Sequence, residues 1–231
     1  MNAARASWPF WPLAVVVVIL PIVAVTVSAT ISMALELVPR CMPFVEGCTS
    51  ISATGRYPPA SYVFKGLLLP YTMLLAAYWW FVVAWLARLP DTPRWQTSRT
   101  CLGLALFSAF ALAVYAVLLG TRGDAYEFMR RFGIYFFFLF TVVAQVMCAL
   151  RMAQSAETRA AGRWQLRIAI GMLAFGALNL ALKAILEDPD RAENVIEWNF
   201  ALIMFANLAP VIRPLHRAGV RIELATTPPN A

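Results

Sequence analysis

Residues 41–65 form a polar, turn-rich stretch between long apolar runs: C-M-P-F-V-E-G-C-T-S-I-S-A-T-G-R-Y-P-P-A-S-Y-V-F-K. Its hydroxyls, Ser50, Ser52 and Thr54, lead into Gly55 and Arg56, and Lys65 closes it. A guanidinium is a planar fork of donors that suits phosphate. Glycine can supply a positive φ, and Pro58-Pro59 removes two amide donors and stiffens the chain. These residue types fit contact with a lipid headgroup. A loop that merely caps the rest of the protein uses the same residues. The spacing is not that of a Walker loop.

Cys41 and Cys48 lie in the same stretch. Outside the cytoplasm a disulfide is allowed, and a structural bridge is the expected state. A redox pair is disfavoured because the spacing is not C-x-x-C; two free thiols remain the alternative. Cys101 and Cys148 fall in apolar runs and are expected to pack as small apolar residues. The chain has one histidine, His216. That argues against a bis-histidine haem, a histidine-rich metal site and a serine–histidine hydrolase. No metal and no cofactor is expected.

A second group of polar residues sits within or at the ends of apolar runs: Glu36, Asn179, Lys183, Glu187 and Glu197. Charges at membrane depth cost about 2.5–3.5 kcal/mol on insertion scales, so they tend to face a bundle interior or a cavity. Asn179, Lys183 and Glu187 recur at helical spacing and are expected on one face. The expectation is a polar cluster beneath the 41–65 stretch, with Lys65 or Lys183 paired to Glu197. Several of these residues also lie near enough to helix ends to reach the headgroups instead.

The elements that must position these groups follow from composition. Of 231 residues, 61% are hydrophobic and 13% charged, against about 25% charged in a soluble domain. The apolar residues come in continuous blocks of about 20, the length that crosses a hydrocarbon core, not in the short alternating segments of a barrel. The expected fold is all-α: one polytopic bundle of six transmembrane helices, over 12–37, 63–86, 101–121, 132–150, 166–186 and 195–212. Residues 38–62 form an extracytoplasmic loop and 213–231 a cytoplasmic tail. The first run is longer than a signal-peptide core, so an uncleaved span is expected.

Arginines concentrate on one side, among them Arg5, Arg88, Arg94, Arg151, Arg159 and Arg213. The positive-inside rule makes that side cytoplasmic, with both termini there. The loop holding Arg122, Arg130 and Arg131 runs against the rule. The net charge of +7 punctuates helix ends and is not a nucleic-acid footprint. Lysine is scarce beside arginine, which fits a GC-rich genome and a bacterial inner membrane.

The stretch S-I-S-A-T-G-R-Y-P-P-A-S-Y-V-F-K, residues 50–65, resembles the first-loop pattern of the Frag/DRAM/Sfk family. That family includes damage-regulated autophagy modulators, post-GPI-attachment lipid-remodelling factors and the N-terminal part of the CWH wall-biogenesis proteins. E-W-N at 197–199 resembles the family's Glu-Trp opening of the last span. One departure stands out: Arg130, three residues before Gly133, occupies a place where family members often carry histidine. An acid–base role for that histidine is therefore not open to this chain.

The resemblance implies work on membrane lipids, by organisation or remodelling. The preferred function is lipid-headgroup binding at the outer leaflet without catalysis, with Arg56 on phosphate. The alternative is an acyl-transfer enzyme using Ser50, Ser52 or Thr54 with Glu197 or Glu36 as base, and no triad supports it. A small transporter or channel ranks last, since paired broken helices are absent. Membrane lipids are the expected partners, nucleic acid is not, and the sequence names no protein partner.

Overall fold

A computed structural model describes residues 7–89 and 97–223. Arg5, Arg94 and the final T-T-P-P-N-A, used above for orientation and the tail, lie outside the described residues.

Among the described residues six helices are long and apolar enough to cross a membrane: α1 (Trp11–Ala34), α4 (Ala60–Leu86), α5 (Ser98–Leu118), α6 (Asp124–Gln154), α7 (Arg159–Ile185) and the combined segment Asp190–Arg217. That last segment comprises α8 (Asp190–Ala206), a 3-10 turn (Ala209–Val211) and α9 (Ile212–Arg217). Two single-turn helices, α2 (Pro43–Glu46) and α3 (Ile51–Thr54), form the loop between α1 and α4. In chain order the long helices make a closed ring, each packing on the next and α8 returning to α1.

Helix α1 shows why these runs form membrane helices. Its buried face includes Ala14, Ala24, Ser28, Ala29 and Ser32, while Val16, Ile19, Val23 and Val27 point outward. Small residues let backbones approach, and branched apolar residues suit lipid. Gly133 does the same where α6 meets α5: an added Cβ would lie 2.9 Å from the Ala111 carbonyl oxygen.

A two-stranded ribbon joins β1 (Ser7–Pro9) to β2 (Arg221–Glu223), antiparallel. Both ends of the described chain thus lie at one end of the bundle, here called the terminal end; α2 and α3 mark the loop end. Residues 213–217, expected in the tail, are helical.

Three helices begin well before the expected spans. Gly123, with φ 121°, stops the preceding turn, and Asp124 and Glu127 then favour the N-terminus of α6. Arg130 and Arg131 are therefore helical, not in a loop. At 31 residues α6 runs about 46 Å, longer than the ~30 Å core, so its first turns stand at headgroup level. Likewise α7 starts at Arg159 and α8 at Asp190, because charge interrupts an apolar run without interrupting a helix.

Helices α6 and α7 meet closely at the terminal end. There an added Cβ on Gly162 would lie 2.7 Å from the Ala149 carbonyl oxygen. Gln165 donates to the Asn207 carbonyl at 2.8 Å, and Asn207 donates to Gln145 at 2.9 Å, tying α6 and α7 to the end of α8. Beyond Met172 no residue of α7 is buried. Gly171 and Gly176 have open space where a Cβ would stand, and α7 is the least buried of the six. The pair opens like a V toward the loop end.

Candidate functional site

The first turns of α8 hold the loop in place. Asn194 donates to the Gly47 carbonyl at 2.8 Å, Trp198 Nε1 to Thr49 at 2.8 Å and Asn199 to Phe44 at 2.9 Å. Phe44 also stacks edge-on against Trp198, with centroids 5.1 Å apart. The Glu197 carboxylate lies beside the backbone N–H groups of Ile51 and Ser52. The two stretches that carried the family resemblance, 50–65 and 197–199, thus meet in space.

Within the loop, Ser50 Oγ accepts from the Ala53 amide at 3.1 Å, capping α3, and lies 3.1 Å from Ser52 Oγ. Thr54 is buried and its hydroxyl donates inward to the Ile51 carbonyl. Gly55 does not use a positive φ: its φ is −98°. Space is its reason, since a Cβ there would lie 2.6 Å from Cγ of Phe64. Positive φ falls instead at Gly47 and Gly120, and a Cβ on Gly120 would meet the Arg56 carbonyl oxygen at 2.7 Å.

These contacts place one wall of a cavity of about 460 Å³, within the ~300–1,000 Å³ of small-molecule sites. It occupies the mouth of the V. Ser50, Ser52 and Arg56 enter from the loop, Arg130 and Arg131 from α6, Asn179 and Lys183 from α7, and Glu193 and Glu197 from α8. Tyr115 sits among Glu197, Arg130 and Arg56. Apolar Ile134, Phe138 and Phe200 continue the walls toward the membrane interior. Two buried polar atoms of lining residues have no hydrogen-bond partner among the described residues: Arg56 Nε and Asn179 Oδ1.

The two sets of residues picked out separately in the sequence, the loop group and the intramembrane group, therefore share one cavity, but not all of them reach it. Lys65 donates to the Val117 carbonyl at 3.3 Å, away from Glu197. Lys183 pairs with Glu193 at 3.0 Å, not with Glu197. Those salt-bridge geometries replace the expected Lys–Glu197 pair; α8 begins a turn early and presents Glu193 first. Glu36 is exposed and pairs with Arg40 at 3.2 Å. Glu187 leaves the face of Asn179 and Lys183 because α7 ends at Ile185 and Leu186 is extended. Cys41 and Cys48 are joined as a disulfide beside the cavity, not in it.

Sequence reasoning missed Arg131, Tyr115, Tyr135, Glu193 and Asn194 as lining groups, and noted Arg130 only as a departure from the family pattern. The available signal was helical spacing: Asn194, Glu197 and Trp198 lie at i, i+3 and i+4. A cavity of about 590 Å³ at the terminal end, lined by Trp85, Trp164, Arg213 and Arg217 among others, has no buried unpartnered polar atom among the described residues. Cys101 and Cys148 are buried, with sulfurs 3.7 Å apart.

Six membrane-length helices in a ring, opened on one side by a polar cleft, define a polytopic helical integral membrane protein. Residues 9–210 match the family described as Frag1/DRAM/Sfk1/Cwh43P N-terminal domain, and the chain belongs to that family. No curated protein and no solved structure matches it.

Proposed function

We propose that this chain binds a phospholipid headgroup in the leaflet at its loop end, without catalysing a reaction on it. With the arginine-rich terminal end cytoplasmic, that leaflet is the outer one. The observation that carries the reading is the cleft itself: Arg56, Arg130 and Arg131 converge on a cavity bordered by the unpacked half of α7. A buried donor without a partner costs about 1–3 kcal/mol. A phosphate oxygen beside Arg56 Nε removes that cost, and arginine is the side chain best shaped for it. Acyl chains can leave between α6 and α7 along Ile134, Phe138 and the unpacked half of α7. Use of Ser50 Oγ as the cap of α3 supports binding over nucleophilic attack.

The test is native mass spectrometry from mild detergent, comparing wild type with Arg56→Ala, Arg131→Ala and Lys65→Ala. The expected result is a retained phospholipid that is lost from both arginine variants. Lys65→Ala should keep it, because Lys65 is engaged elsewhere. Equal and unselective lipid adducts on all four proteins would contradict the proposal.

A further inference from the structure

We infer that the headgroup taken by this cleft carries a primary amine beside its phosphate, as in an aminophospholipid. This rests on the headgroup-binding reading above and narrows its ligand. Charge in the cleft is segregated by element. The three arginines come from the loop and α6, whereas both carboxylates come from α8. Lys183 is engaged by Glu193, so the arginines remain for phosphate. Glu197 has no cation in ion-pair contact among the described residues; its neighbours are the neutral amides of Ile51 and Ser52, the Tyr115 ring and the like-charged Glu193. Asn179 Oδ1, on α7, is a buried acceptor without a donor.

A headgroup of phosphate alone satisfies the arginines and leaves Glu197 facing a like charge. A primary ammonium linked to that phosphate brings three N–H donors, enough for Glu197 and Asn179 together. A quaternary ammonium has no N–H to give either acceptor, and a glycerol headgroup brings no positive charge to Glu197. The shared chemistry is a phosphodiester with a primary amine, which both ethanolamine and serine headgroups supply.

The experiment offers wild-type protein four phospholipids with identical acyl chains, bearing ethanolamine, serine, choline or glycerol headgroups, and measures retention by native mass spectrometry. The ethanolamine lipid, the serine lipid or both should be held about tenfold or more over the choline and glycerol lipids. Glu197→Gln keeps an acceptor for the two loop amides and should abolish that preference while phosphate-dependent retention persists. Asn179→Ala, on the unpacked half of α7, should weaken the preference in a protein whose fold it does not touch. It decides the matter if Glu197→Gln fails to fold. Wild type holding all four lipids alike, with loss in Arg56→Ala, overturns the amine inference and leaves the headgroup site standing. No selective retention by wild type, with Arg56→Ala indistinguishable, overturns both.

Discussion

Replacing Gly55 by alanine tests how the loop is seated. The φ of −98° at this position is open to alanine, so backbone strain contributes nothing and the effect is steric. The new Cβ would stand 2.6, 2.7 and 2.9 Å from three ring atoms of Phe64, where carbon–carbon contacts prefer about 3.5–4.0 Å. Phe64 is buried and packs edge-on against Tyr115, centroids 6.4 Å apart, so the ring cannot move freely. Overpacking of this kind costs about 1–3 kcal/mol. Gly66→Ala provides the internal comparison. It lies on α4, the helix that carries Phe64, nothing stands within 4 Å of its added Cβ, and removing a helical glycine gains about 0.5–1 kcal/mol. The two variants should differ by about 1.5–4 kcal/mol, or at least ~3 °C in Tm for a chain of this size. Thermal unfolding in detergent measures this. Lipid retention should fall with Gly55→Ala as well, since a displaced Phe64 pushes Tyr115 into the cleft. In Gly55→Ala/Phe64→Leu the smaller side chain relieves the overlap, so the double variant should lose less than the sum of the singles. Equal melting of Gly55→Ala and Gly66→Ala, or strict additivity in the double variant, would refute the seating described.

Trp198→Phe keeps the ring contact with Phe44 but strands the Thr49 carbonyl, and should cost about 1–3 kcal/mol in thermal unfolding. Asn199→Ala, which frees Phe44 of the same loop, should be less than additive with it. Cys41→Ser removes a crosslink of sequence separation 7, worth about 2–3 kcal/mol by chain entropy; reductant should lower the Tm of wild type and leave the variant unchanged. Glu193→Ala should change stability by less than about 1 kcal/mol, because the pair with Lys183 is solvent-accessible.

The architecture was legible because each span is an apolar block set off by charges, and the membrane leaves helices few alternatives. Helix ends were not, because the criterion that finds a span stops at Arg131 or Arg163 while the backbone continues through them. The same error hid two of the cleft's arginines: Arg130 and Arg131 fell in an expected loop, yet a helix overrunning the membrane carries them to its rim. Ser50, Ser52, Arg56, Asn179, Lys183 and Glu197 were found by residue type and depth. Their partners were not, since pairing depends on helix rotation and on where α7 and α8 begin and end. Gly55 shows the remaining gap: its residue type was informative, but only the position of Phe64 reveals that the reason is space.

A structure of the protein in phospholipid nanodiscs tests the central claim most directly. The account predicts a headgroup between α6 and α7, with phosphate density against Arg56, Arg130 and Arg131 and acyl chains leaving past Ile134 and Phe138. Closure of the outer half of α7 onto α6, burying Gly176 and leaving no headgroup beside Arg56, would contradict it.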